Sequence, residues 1–141
     1  MSRRERPMLI EHPIRIKAYE IDAMGVVSNI EYIKWFEDLR HVFLDAYYPY
    51  EEMMRDRISP VMMTTEVHYH RPLTLHDRPL GRSWVVRMGR AKWEIHFEFT
   101  TEAGLHCSGR QIGGFCDVAK GRPTPIPDRL RNTFERETAA V

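Results

Sequence analysis

Cysteine is scarce in this chain, with only Cys107 and Cys116 among 141 residues. The two sit nine apart in a stretch that reads as one strand. At about 3.3 Å of rise per residue they lie far beyond disulfide reach. That excludes a cross-linked secreted scaffold, and reduced thiols in a cytoplasmic protein are expected. An excess of one charge is also missing. The chain has 21 Lys and Arg against 20 Asp and Glu, for a net charge of +1. No global field therefore draws in nucleic acid or an anionic membrane surface. No apolar run approaches the length that spans a bilayer. The basic opening "MSRRERPMLIEHP" is interrupted by Glu11 and His12, so no signal peptide is expected. Internal repeats and linker-like stretches are absent as well. One domain over 1–141 is expected, with a core of about 9–120 and a tail over 121–141.

What is present is ordinary globular material, 43% apolar and 29% charged. Residues 1–8 read as a frayed basic arm. From Leu9 to Tyr19, Ile10, Ile14, Ile16 and Ala18 alternate with polar residues, the pattern of a half-buried strand. Ser28 and Glu31 then form the S-x-x-E capping-box pattern, so a helix is expected from near Asn29 to Pro49. Its apolar positions are Ile30, Ile33, Trp35 or Phe36, Leu39, Val42, Phe43, Ala46 and Tyr47. "YEEMMRDR" predicts a second, short helix. The remainder is mostly strand. "SPVMMTTEVHYHRP" alternates with Val61, Met63, Thr65, Val67 and Tyr69 on one face. "RPLGRSWVVRM" follows, then "KWEIHFEFT" with Trp93, Ile95, Phe97 and Phe99 facing one way. A "TEAG" turn leads into "LHCSGRQIGGFCDV". The tail opens with three prolines and then predicts a short helix. One strand, one long helix and four turn-linked strands give an α+β domain, an antiparallel meander wrapped around the helix.

The junction of the first strand and the helix reads "EIDAMGVVSNIEY", residues 20–32. With the element order over roughly 9–120, this stretch resembles the hot-dog fold and, within it, the 4-hydroxybenzoyl-CoA thioesterase-like family of acyl-CoA thioesterases. The family pattern sets an Asp, a Gly, an aliphatic pair and a Tyr at fixed offsets, matched here by Asp22, Gly25, Val26, Val27 and Tyr32. The resemblance implies a five-stranded antiparallel sheet around a long central helix. It implies hydrolysis of an acyl-CoA or acyl-carrier-protein thioester without cofactor or metal. It also implies a homodimer or homotetramer whose site is built from both chains. Asp22 falls on the catalytic aspartate, and Asn29 falls where a backbone N–H polarises the thioester carbonyl. "GRAKW" falls on a basic turn that contacts coenzyme A phosphates, through Arg90 and Lys92. "YHRPLTLHDRPLG" matches a further family passage through Tyr69, Arg71, Pro72 and Asp77. The chain departs from many members in Ser28 and Asn29, in Glu20 and in Glu31, which leaves the acyl group open.

The chemistry suits these residue types. A helix start carries free N–H groups and partial positive charge, which stabilise a carbonyl oxygen as it becomes anionic. Asp22, just upstream, either activates water as general base or attacks directly to give an anhydride. Its plainer role would be a pre-helix acid, but Ser28 already supplies a cap in this pattern. Gly25 lets the backbone approach a ligand closely, Val27 accompanies it, and Tyr32 either lines the acyl pocket or sits in the core. Glu20 would share a strand face with Asp22 and raise its pKa, or else be a solvated strand-end acid. Glu37 on the helix is the alternative catalytic acid. His68 and His70 have a metal-compatible i, i+2 spacing but no third ligand, so a polar strand face is the better reading and no metal site is expected. Met53, Met54, Met62 and Met63 suit core filling or a flexible acyl pocket. A module that binds a thioester without cleaving it is the alternative function. A hydratase is disfavoured because no D-x-x-x-x-H follows Asp22.

Overall fold

Tyr32, Trp35, Phe36, Leu39 and Phe43 recur at three- and four-residue spacing and are all buried. They give the helix α1 (Glu31–Tyr47) one apolar stripe. The computed structural model, which describes residues 5–139, lays that stripe on the concave face of an antiparallel sheet. Before α1 come β1 (Ile10–Pro13) and a 3₁₀ turn at Ala18–Glu20. After it come α2 (Tyr50–Asp56), β2 (Ile58–Tyr69), β3 (Leu80–Met88), β4 (Trp93–Thr101), β5 (Gly104–Asp117), β6 (Arg122–Thr124) and α3 (Asp128–Thr138). The sheet order is β1-β3-β4-β5-β2, with β6 also paired to β5.

Several sequence expectations change. The sheet has a sixth strand, β6, in the proline-bearing tail. Only β3, β4 and β5 form a meander. β2 crosses over to pair with β5 and occupies an edge. The first strand stops at Pro13, although Ile14 and Ile16 remain buried and Ile14 N–H donates to Pro79 O. Residues 1–4 of the expected frayed arm lie outside the described residues. Residues 5–8 are packed: Met8 is buried, Val85 N–H donates to Pro7 O, and the Arg6 guanidinium stacks 3.9 Å over Trp84. In β2 the pairing with β5 shifts register between Met62 and Thr64. This bulge breaks the simple alternation: Val61 and Met63 are exposed, whereas Met62 and Val67 pack against the core.

Both cysteines lie on β5 as free thiols. Burial pushes the Cys107 thiol up to about 12, while Cys116 is partly exposed. The thiolate is the reactive form. A thiol reagent at pH 8 is therefore expected to label only Cys116 in the native protein and both residues after unfolding. Rapid native labelling of Cys107, located by peptide mapping, would contradict this burial.

The convex sheet face carries a charged ladder. Glu66, Arg110, His96 and Trp84 stand opposite one another across four strands. Arg110 forks onto both oxygens of Glu66 at 2.7 and 2.8 Å, and His96 meets Glu94 at 2.7 Å. The His96 hydrogen bond, helped by Arg110 and Arg87, holds the Glu94 carboxyl below its usual range. A lowered folded-state pKa gives stability that is present above the ordinary glutamate range and lost as the pH falls through the folded value. Glu94→Gln is expected to reduce stability at pH 7 by up to about 1 kcal/mol. The deficit should vanish as the pH falls below about 4. Thermal melts of both proteins across pH check this, and a pH-independent deficit would refute it.

Candidate active site

Ile21 and Val27 form an isolated antiparallel bridge that closes a tight hairpin. Asp22 N–H donates to Val26 O at 2.8 Å, and Gly25 N–H donates to Asp22 O at 3.0 Å. Asp22 Oδ1 accepts from Met24 N–H at 2.8 Å and from Val26 N–H at 3.4 Å. An aspartate that ties its own following backbone is a turn-former. One oxygen is enough for that task. Oδ2 makes no hydrogen bond within the described residues, and the side chain is exposed. Gly25 has φ +79, which is by itself a reason for glycine, and a Cβ there would meet nothing within 4 Å.

The hairpin leads directly into α1, but not through a capping box. The N-cap is Ile30, no side chain caps the helix, and regular structure begins at Glu31. Ser28 contributes its backbone instead: its N–H donates to Glu20 O at 2.9 Å and its O accepts from Glu31 N–H at 3.0 Å. The premise that Ser28 relieves Asp22 of a capping role therefore fails. Asp22 does have a structural task, in the hairpin. Asn29 N–H has no acceptor among the described residues, while Asn29 O accepts from the Tyr69 hydroxyl at 2.8 Å. The hairpin and the entrance of the helix thus carry, among the described residues, an uncommitted carboxylate oxygen on Asp22 and an uncommitted backbone donor on Asn29.

Glu20 is neither solvated nor a companion of Asp22. It is buried at the end of the 3₁₀ turn, where it accepts from Trp35 Nε1 at 3.0 Å and Lys17 N–H at 2.7 Å. Glu37 is also committed, to the Arg40 guanidinium, which in turn donates to buried Gln111 at 2.6 Å. Glu31 is buried in the first helical turn, with Oε2 unpartnered among the described residues.

Val26, Val27, Asn29, Tyr32, Tyr69, His70, Arg71 and Pro72 line a cleft of about 210 Å³ at the helix entrance. Val27 is buried and anchored by its N–H to Leu73 O. The Tyr32 ring packs edge-on against Trp35 at 5.0 Å and Tyr69 at 5.4 Å. Burial raises the Tyr32 hydroxyl pKa well above the usual tyrosine value. Tyr32 therefore stays a neutral donor at ordinary pH, and its hydroxyl has no partner among the described residues. Sequence reading placed Tyr69 only on a strand face and in a family passage. Its bond to Asn29 spans 40 positions and carries no local signal.

Arg90 and Lys92 are not brought to this cleft within one chain. Their turn lies at the opposite end of the sheet, with Ala91 O beside Gly114. Tyr69 is level with Cys107, and Trp93 with Gly113. Six residues of β5 therefore separate the two ends, about 20 Å along the strand. A larger cleft of about 550 Å³ lies at that far end, lined by Tyr50, Met53, Met54, Arg57, Ile58, Ser59, Val118 and Ala119. The expected methionine cluster divides: Met53 is core, Met62 packs against it, and Met54 and Met63 are exposed. His70 pairs with Ser108 Oγ at 2.8 Å, and no group of three or more metal-ligating side chains occurs among the described residues. None of the described helices is long and apolar enough to cross a membrane.

The sequence profile of the thioesterase-like superfamily matches residues 16–134. A curated relative from Aquifex aeolicus (strain VF5), carrying the name "Putative esterase", is 33% identical over 64 residues. That match takes in 45% of this chain and 50% of the relative, so the chain spans about half the length of the relative it matches. DHNA-CoA thioesterase from Staphylococcus aureus superposes with a TM-score of 0.83 at 19% identity, over 91% of this chain and 89% of that one. A second Staphylococcus aureus protein, solved in complex with CoA, superposes at 0.85 with 14% identity, over 94% and 87%. At such identities the two superpositions speak for the fold. The profile runs from before the Asp22 hairpin into the C-terminal helix, and on that extent the chain belongs to the thioesterase-like superfamily, with its hot-dog fold.

Proposed function

We propose that this protein hydrolyses a thioester carried by coenzyme A or by an acyl-carrier protein. The observation that carries the reading is that Asp22 Oδ2 and Asn29 N–H are both uncommitted among the described residues, on one tightly bonded hairpin and the helix start that follows it. Asn29 N–H, at the positive end of α1, receives the carbonyl oxygen and stabilises it as negative charge develops. Asp22 Oδ2 activates water for attack on the carbonyl carbon, or attacks that carbon itself. In either route the C–S bond breaks and the thiolate leaves, to be protonated as the free thiol; where Asp22 attacks, water then cleaves the resulting anhydride, releasing the acid and restoring the carboxylate. Tyr32 adds a neutral hydroxyl in the cleft. The chemistry calls for no cofactor or metal.

The reading includes a second copy of the chain. β2 is a long edge strand with an unpaired side, and exposed Val61 and Met63 lie along it. Such an edge invites pairing. Met24, Ile30 and Ile33 add exposed apolar surface at the hairpin and helix entrance. An antiparallel copy along β2 sets the Ile58 end of one chain beside the Tyr69 end of the other. That returns the Arg90 and Lys92 turn, with the larger apolar cleft, toward the partner's Asp22 hairpin. The basic turn then serves the phosphates of the handle and the cleft serves the acyl group. The homodimer is the minimal assembly on this reading, and a homotetramer doubles it.

The test is free-thiol release from aromatic, short-chain and long-chain acyl-CoAs and from acyl-carrier protein. Turnover of one class, with a dimer or larger in solution, is the expected result. Silence across both carriers would overturn the reading.

A further inference from the structure

We infer that Tyr69 is a positioning residue for thioester hydrolysis, holding Asn29 by its carbonyl so that the N–H of the same residue faces the developing oxyanion. The inference rests on the function proposed above and adds a residue to it. Three successive peptide groups meet at the helix entrance. The Val27–Ser28 peptide is pinned through Ser28 N–H to Glu20 O at 2.9 Å. The Ser28–Asn29 peptide owns the Asn29 N–H, which has no acceptor among the described residues, and its carbonyl is held by Glu31 N–H at 3.0 Å. The Asn29–Ile30 peptide is held from outside the helix, by the Tyr69 hydroxyl on Asn29 O at 2.8 Å. Tyr69 thus fixes the carbonyl side of the residue whose N–H does the work.

The clamp is anchored well for a half-exposed side chain. Tyr69 is the last residue of β2 and pairs with Cys107 in β5, so its backbone belongs to the sheet. Its ring meets Tyr32 edge-on at 5.4 Å, Tyr32 meets Trp35, and Trp35 donates to Glu20, whose backbone O holds Ser28. The pinned peptides on either side of the Ser28–Asn29 peptide are thereby joined through one chain of contacts. Desolvation raises the Tyr69 pKa, so the hydroxyl keeps its proton over ordinary pH. An oxyanion donor acts through geometry fixed in advance of charge development. Loosening its peptide should therefore weaken the transition state and leave ground-state binding alone.

Tyr69→Phe deletes the hydroxyl and keeps the ring. The expected result is a fall in kcat of about tenfold with KM within about twofold, since one net hydrogen bond is at stake. The melting temperature should move little. In ¹⁵N relaxation, the order parameters of Asn29 and Ile30 should drop while those of the strands stay fixed. Unchanged kcat, or a rise in KM with kcat intact, would overturn the assignment. The relaxation measurement separates this from failure of the proposed function. Looser Asn29 and Ile30 amides in a protein that cleaves no thioester would uphold the clamp and sink the thioesterase. Unaltered amides would sink the clamp whatever the activity.

Discussion

Asp22→Asn is expected to lower kcat/KM for a cleaved thioester by roughly 10²–10⁴-fold, the range a positioned acid–base group supplies. The substitution is well isolated. Asparagine keeps a side-chain oxygen where Oδ1 accepts from Met24 N–H and Val26 N–H, so the hairpin retains its bonds. What changes is the second oxygen. Oδ2 has no partner among the described residues and becomes an amide nitrogen that neither accepts a proton nor attacks a carbonyl. The loss should fall in kcat, with KM little altered and the melting temperature within a few degrees of native. The other acids near the helix make a sharp control. Glu20 is buried against Trp35 and Lys17, so Glu20→Gln should register mainly as lost stability. Glu37 is held by Arg40, and Glu37→Gln should leave the chemistry in place. Thiol release by the three variants, measured beside their melts, decides the matter. Full activity in Asp22→Asn would remove Asp22 from the mechanism, and a collapse in Glu37→Gln would move the chemistry to the helix.

The helix, the strands and the hairpin motif were legible because they depend on local periodicity and spacing. The β4 reading held at all four inward positions, since Trp93, Ile95, Phe97 and Phe99 are buried. What the sequence hid depends on partners distant in the chain. The two isoleucines at the start of α1 fit a helical stripe, yet Ile30 and Ile33 are exposed and buried Glu31 and Tyr32 lie between them. The sheet covers one arc of the helix, and periodicity alone does not say which. The capping box failed for a related reason. Ser28 N–H is drawn to Glu20 O, so the chain enters α1 two residues later, through Ile30 in helical conformation. The β2 face was misread because one bulged residue inverts the alternation. Crossover of β2 to β5 is a topological choice that turn length between neighbours does not reveal. Asp22 and Asn29 were singled out by the family resemblance of their stretch, as the turn and the helix start, whereas the Tyr69 contact and the distance to Arg90 and Lys92 emerge only from the sheet.

Phe36→Ala is expected to cost about 3–5 kcal/mol, a large share of the roughly 5–15 kcal/mol available to a domain of this size. The ring is fully buried and lies parallel to Phe97 at 4.4 Å and Phe99 at 5.8 Å. On β5 it faces Gly109, where a Cβ would come within 2.7 Å of Phe36 Cε2 and 2.6 Å of Glu66 O. The helix therefore sits this close to the sheet because one strand position lacks a side chain. Removing the ring empties that space, and a melting-temperature drop of roughly 10–15 °C should follow. Gly109→Ala is the converse lesion. It forces a methyl against the ring and against the β2 carbonyl, for about 1–3 kcal/mol. Combining the two tests whether they are one contact. With the ring gone the methyl has room on the helix side, so the double variant should be more stable than the sum of the single losses by more than about 0.5 kcal/mol. Urea unfolding of the four proteins gives that coupling directly. Strict additivity would mean that the Glu66 carbonyl alone selects glycine at 109. Coupling would mean that the depth of the helix in the sheet, and with it the height at which α1 presents Asn29, is set by a ring seated on a glycine.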